Sequence, residues 1–302
     1  MDLDALADRL IVPSFSALGF RARSRSFEPI PRMDGTTVVL TGPTSGIGAA
    51  AAKRFDDLGA SLVLVGRSAE KLDRLTDGLS GDHRTIVADL SLLDDARSVV
   101  DQLDPASIDV VVHNAGAMFD RHARTADGIE RTLALNLVIP VFITDELLGR
   151  GLPETSRVVF VSSGGMYTTG PSLRDQRTEE GYRPALAYAR AKRGQVVAVE
   201  AWAAAHPDGP VFAAMHPGWV DTPGVESSLP TFRTITKPVL RTPDEGADTI
   251  VWLAAADDVP TGGFWLDRRR RPTHYRSATR SEPERLERFL AEVRDLATTV
   301  NR

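Results

Sequence analysis

Tyr188 and Lys192 stand four residues apart in Tyr188-Ala189-Arg190-Ala191-Lys192, a spacing with chemical consequences. The chain holds 4 Tyr and 4 Lys among 302 residues, so composition alone would place a Lys four residues after a Tyr in about 5% of such chains. The pairing therefore carries information. Residues 184–205 read as a helix: Pro184 suits the first turn, alanines fill it, and Val196, Val197, Val199 and Trp202 supply apolar positions. On a helix, residues i and i+4 share a face about 5–6 Å apart. At an effective dielectric of about 20, an ammonium about 5 Å from a phenol contributes about 3.3 kcal/mol, or about 2.4 pKa units. The expected phenol titrates in the high sevens, near the useful range for a general acid/base. The plainer alternative is a solvated Lys beside a half-buried Tyr.

A second motif lies upstream. The β-branched run Thr36-Thr37-Val38-Val39-Leu40-Thr41 leads into Gly42-Pro43-Thr44-Ser45-Gly46-Ile47-Gly48 and four alanines. That is strand, glycine-rich turn and helix. Such a turn lets backbone approach a pyrophosphate, and the new helix offers unpaired N–H groups at its positive dipole end. The spacing is Gly-x3-Gly-x-Gly, which differs from the commonest dinucleotide fingerprint. An ordinary glycine turn would look similar, but its place after the first strand favours phosphate.

Thr41 to Gly48, with Tyr188 and Lys192, resemble the short-chain dehydrogenase/reductase family, and further matches follow in chain order. Asp89-Leu90 ends the third strand, where the family sets an acidic group beside adenine. Asn114-Ala115-Gly116 ends the fourth, and Asn136 falls in a helix at the family's catalytic-Asn position. Val161-Ser162-Ser163-Gly164 ends the fifth, and Pro217-Gly218-Trp219-Val220-Asp221-Thr222 follows the sixth. The resemblance spans about residues 35–266. Val161 to Met166, His216 to Trp219 and Gly246 to Thr249 look like one subgroup, that of dehydrogenase/reductase member twelve.

The resemblance implies hydride transfer between a nicotinamide and a carbonyl or alcohol. Tyr188 would move the proton, with Lys192 lowering its pKa and holding the nicotinamide ribose. Ser163 would hydrogen-bond the substrate oxygen, with Ser162 the competing choice, and Asn136 would anchor a relay water. The cofactor residues implied are Gly42, Thr44, Ser45, Gly46, Ile47, Gly48, Arg67, Asp89, Leu90, Asn114, Ala115, Gly116, Tyr188, Lys192, Pro217, Gly218, Val220 and Thr222. Arg67 ends the second strand, where an acidic residue would hydrogen-bond a ribose 2′-OH; Arg there, with no acid at 66–68, favours NADP(H) over NAD(H). Two rivals share the fold. A catalytically silent NADP(H)-binding sensor would usually lack part of the Asn136, Ser163, Tyr188 and Lys192 set. An epimerase or dehydratase of the extended branch would usually carry a different first-turn glycine spacing.

The elements that must position these residues are readable. Strands are expected at about 36–41, 61–65, 84–88, 108–113, 156–162, 210–215 and 263–266. Helices are expected at about 46–58, 68–79, 92–103, 127–149, 184–205 and 243–256. Near-continuous Val/Ile/Leu strands alternating with helices predict an α/β fold: one Rossmann-type doubly wound parallel sheet of about seven strands, flanked by helices. Thr242-Pro243-Asp244-Glu245 predicts a capping box. Residues 1–34 read as an N-terminal extension, 35–266 as the catalytic domain, and 267–302 as a C-terminal extension with an amphipathic helix marked by Leu286, Phe289, Leu290, Val293 and Leu296. The basic run Arg268 to Arg271 reads as a solvated loop.

Net charge is −5, which gives no electrostatic case for nucleic acid. There is no Cys, and the 6 His are scattered without His-x3-His spacing, so neither thiolate chemistry nor a metal site is expected. No apolar run suggests a membrane span and Met1 to Gly19 lacks a leader's pattern, so a cytoplasmic protein is expected, monomeric or homo-oligomeric. Arg21, Arg23 and Arg25 could touch an anionic membrane surface, although docking of this segment on its own domain fits better. Residues 223–240, with Val225, Leu229, Phe232 and Ile235, read as a mobile lid over an apolar pocket, hence a hydrophobic substrate.

Overall fold

The computed structural model describes residues 14–228 and 230–298. After a short helix α1 (Ala17–Ser24), strands and helices alternate: β1 (Thr37–Thr41), α2 (Gly46–Asp57), β2 (Ser61–Gly66), α3 (Ala69–Thr76), β3 (His83–Val87), α4 (Leu93–Asp101) and β4 (Val110–His113). Then come α5 (Arg131–Gly149), β5 (Arg157–Val161), α6 (Pro184–Ala205) and β6 (Val211–Met215). The chain continues through α7 (Pro223–Ser228), α8 (Pro230–Thr236), α9 (Pro243–Ala255), β7 (Gly263–Leu266), β8 (Arg269–Arg271) and α10 (Pro283–Thr298). The sheet order is β3-β2-β1-β4-β5-β6-β7-β8, parallel except for β8. This is the expected doubly wound sheet, with one strand more.

Strand alternation divides the core. Val39, Val63, Val111, Val158 and Phe160 pack on one face against α4, α5, α6 and α10. Val38, Leu40, Leu62, Val112 and Val159 pack on the other against α2 and α9. Both faces of the central strands are buried, which explains why they read as unbroken Val/Leu runs. Each such side chain contributes about 1.5–3 kcal/mol on full burial. The capping box at α9 forms as expected, with Thr242 and Glu245 bonding each other's backbone N–H.

Three elements differ from the sequence reading. The helix expected from 127 begins at Arg131, because the Glu130 carboxylate accepts from the Thr132 and Leu133 N–H groups and caps it. Within α5, Ala134–Val138 form a π-turn around Asn136. This helix is long and apolar enough to cross a membrane by composition alone, but 67% of its apolar window is buried, as in a core helix. The basic run is no simple loop: Arg269–Arg271 pair antiparallel with β7. The connecting Asp267 and Arg268 have φ of 51° and 56°, the doubly left-handed geometry that Asn-Gly usually supplies, so the residues gave no hairpin signal. Ion pairs hold them there instead: Asp267 to Arg23 and Arg241, and Arg268 to Asp248.

Candidate active site

A cleft of about 1020 Å³ opens at the C-terminal ends of the strands. It lies where the order reverses between β1 and β4, the place an α/β sheet leaves open for ligands. Its walls carry Gly42, Thr44 to Gly48, Arg67, Asp89, Leu90 and Asn114 to Gly116 at one end. Ser163, Tyr188, Lys192, Pro217, Gly218, Val220 and Thr222 line the other. Every candidate residue read from the sequence therefore lines one cleft, apart from Asn136.

The glycine turn is built for close approach. A Cβ on Gly48 would lie 2.1 Å from the Gly42 carbonyl oxygen and 2.5 Å from Asn114 Nδ2, so no larger residue fits. Asn114 laces the strand ends together: its Nδ2 donates to the carbonyls of Thr41 (3.0 Å) and Gly42 (2.9 Å), while Thr41 Oγ1 accepts from the Asn114 and Ala115 N–H groups. Ser45 sits at the N-cap of α2 without a side-chain capping bond, leaving first-turn N–H groups for a bound anion. This is the chemistry a dinucleotide pyrophosphate requires. Arg67, its side chain 69% exposed, has Nη1 4.0 Å from Asp89 Oδ2 and is free to turn toward a ligand.

At the other end, α6 presents Tyr188 and Lys192 together. Lys192 Nζ lies 5.4 Å from the Tyr188 ring centroid and donates to the Val161 carbonyl at 2.8 Å. The expected depression of the phenol pKa is not what this environment gives. Burial pushes the Tyr188 phenol up to about 12 and the Lys192 ammonium down to about 7. Both charged forms lose water, and that penalty outweighs the attraction assumed for a fully charged, fixed Lys. The two serines separate clearly. Ser162 Oγ donates to the Lys192 carbonyl and is 2% exposed, whereas Ser163 Oγ accepts from Gly165 N–H and keeps its hydroxyl proton for the cleft.

Asn136 is fully buried behind the cleft. Its Nδ2 donates to the Ala117 and Thr132 carbonyls, and its own carbonyl accepts from Gln195 Nε2 at 2.7 Å. Its Oδ1 has no hydrogen-bond partner among the described residues and points toward Gly116, where an added Cβ would lie 2.7 Å from that oxygen and 3.2 Å from Lys192 Nζ. Asn136 and Lys192 thus converge on Gly116.

Sequence reasoning missed part of this end. His216 is buried, its Nδ1 accepting from Gly218 N–H at 3.3 Å, and burial holds its pKa down at about 3. Phe15 meets His216 edge-on at 4.4 Å between centroids. Tyr167 and Tyr275 stack at 4.4 Å on the rim. The loop after β6 is pinned from both sides: Trp219 N–H donates to the Phe15 carbonyl, and Arg241 N–H to the Trp219 carbonyl. Gly218 is needed here, since a Cβ would come within 2.2 Å of Arg241 Nε. The described residues before β1 pack against the rest of the fold, Arg21 pairing with Glu245 and Arg23 with Asp267. The segment read as a lid forms α7 and α8, tied by Arg233 to Asp221 and Glu226, with Ile235 76% exposed. Leu229, part of that reading, lies outside the described residues, as do the side chains of Val225 and Phe232.

The family model for short chain dehydrogenases matches residues 36–231. The chain belongs to the short-chain dehydrogenase/reductase family and is an oxidoreductase acting on CH–OH and C=O groups. It is 34% identical over 298 residues to dehydrogenase/reductase SDR family member 12 of Bos taurus, covering 94% of each chain. It is also 34% identical over 253 residues to DnrU of Streptomyces sp. (strain C5), provisionally named a daunorubicin C-13 ketoreductase, covering 80% of this chain and 86% of that one. Among solved structures, an uncharacterized protein from Mycobacterium Paratuberculosis superposes with a TM-score of 0.72 at 25% identity, covering 89% of this chain and 96% of that one.

Proposed function

We propose that the protein is an NADP(H)-dependent reductase of hydrophobic carbonyl compounds, with Tyr188 as the proton donor. The observation that carries this reading is the placement of Tyr188, Lys192 and Ser163 in the same cleft as the glycine turn. A bound NADP(H) would supply the hydride. Gly42 to Gly48 would hold its pyrophosphate through backbone N–H groups, Arg67 its 2′-phosphate, Asp89 and Leu90 the adenosine side, and Asn114 to Gly116 the floor between the two ends. Thr222 and the Pro217 to Val220 backbone would fix the far end. Lys192 Nζ, with one N–H donating to the Val161 carbonyl, has a further N–H left for a ribose hydroxyl.

Tyr188, raised to about 12 by burial, is a neutral phenol near pH 7 and so carries a proton to donate. In carbonyl reduction the phenol O–H gives its proton to the oxygen on which alkoxide charge develops. Ser163 O–H would donate to the same oxygen, and two fixed donors aimed at one atom stabilise the charge that develops there. Aromatic side chains at this end, Phe15, Phe119, Tyr167, Trp219 and Tyr275, support an apolar substrate body. The provisional name borne by DnrU, daunorubicin C-13 ketoreductase, is in keeping with carbonyl reduction. A panel of ketones and aldehydes offered with NADPH and with NADH tests the reading. Substrate-dependent NADPH oxidation is the expected result. Cofactor binding without turnover of any carbonyl would instead support a sensor.

A further inference from the structure

Phe15 lies outside the span that the family model matches, 36–231, yet it lines the cleft. It is 5% exposed, and a Cβ placed on Gly164, the residue after Ser163, would come within 3.0 Å of Phe15 Cε2. Its ring stands against His216 at 4.4 Å and Trp219 at 6.2 Å. A segment outside the matched span therefore sets an aromatic ring beside the candidate oxyanion donor.

The segment is held firmly enough to act as a wall. Arg241, 1% exposed, donates to the carbonyls of Ser14, Phe15 and Ser16, and Trp219 N–H donates to the Phe15 carbonyl. Arg23 bonds both the Ser14 carbonyl and Asp267. A ring on a backbone fixed at three successive carbonyls resists displacement by an entering ligand.

We propose that Phe15 is a specificity-determining residue, the inner wall of the substrate end, selecting carbonyl compounds whose carbonyl is attached to a flat unsaturated ring. This rests on the carbonyl-reductase reading above. Aromatic groups prefer offset or edge-on packing against such a ring, a preference that a small aliphatic ketone cannot use. His216 and Trp219 hold the Phe15 ring at steep angles, so it presents a fixed surface to the cleft.

The test compares wild type, Phe15→Ala and Phe15→Leu with 2-acetylnaphthalene and butan-2-one. The kcat/KM ratio of the aryl to the aliphatic ketone should fall by about tenfold in Phe15→Ala, through KM, and by less in Phe15→Leu. NADPH affinity should change by no more than about twofold. An unchanged ratio in the folded variants, or an equal loss for both ketones, would overturn the proposal. If the wild type reduces neither ketone nor any other carbonyl, the carbonyl-reductase reading is what fails. The wall is then judged by binding of 2-acetylnaphthalene to the protein without cofactor, read from tryptophan fluorescence. About tenfold weaker binding in Phe15→Ala sustains it, and equal affinity overturns it.

Discussion

Arg241 and Asp267, each 1% exposed, meet through two hydrogen bonds, Nη1 to Oδ1 at 2.5 Å and Nη2 to Oδ2 at 3.0 Å. Asp267 also takes Arg23, so one carboxylate in a left-handed turn holds two guanidiniums and, through them, the chain at Ser14 to Ser16. Removing one member of a buried charged set leaves the others unpaired, which costs about 3–5 kcal/mol. Asp267→Ala should therefore lose stability on that scale in urea unfolding and expose residues 14–24 to protease. A loss below about 1 kcal/mol would show that water enters and replaces the carboxylate.

That network also marks where sequence reading stopped. The central parallel strands were legible because each is buried on both faces and so had to be an apolar run of β-formers, whereas β3, at the sheet edge with only Ile86 buried, was legible mainly from its place in the alternation. The candidate site was legible where local chemistry constrains residue type: Gly48 against the Gly42 carbonyl, or Tyr188 and Lys192 on one helix face. Phe15, Arg241 and Asp267 gave no such sign, because their contacts span more than 200 residues for Phe15 and depend on a turn with unusual φ values. Arg23 was noticed as a charge, but its partner could not be. The Tyr188 phenol was misjudged for a related reason. Spacing reports which charges are near, and burial, which decides the balance here, is a tertiary property.

Lys192 offers a test of that burial. Its ammonium is pushed from 10.5 down to about 7 by burial. The folded protein then gives up this proton near pH 7, whereas the unfolded chain keeps it until about pH 10.5. Between those values the unfolded state binds more protons, so this group makes stability rise with pH; below about 7 the full cost of the buried charge is present. Lys192→Met should accordingly be more stable than wild type near pH 6, with the gap closing steadily toward pH 10. Urea unfolding of both proteins across that range checks it, and a gap that does not change with pH would contradict it.

Arg67 is expected to choose the cofactor. Its guanidinium is 69% exposed and 4.0 Å from Asp89, so it can swing to a 2′-phosphate without breaking a buried contact. A charge-assisted hydrogen bond contributes about 1.5–3 kcal/mol, so Arg67→Ser should weaken NADPH by roughly 10–100-fold. NADH should bind nearly as before. Titration of both cofactors distinguishes this from a structural role, for which the two would weaken equally.

Proton transfer from Tyr188 is tested by single-turnover carbonyl reduction in Tyr188→Phe with NADPH bound. The ring and its packing survive in that variant, and only the acid is lost. The rate of the chemical step should fall by at least about 10²-fold, with NADPH affinity kept within a few-fold. Reduction at a near wild-type rate would contradict it.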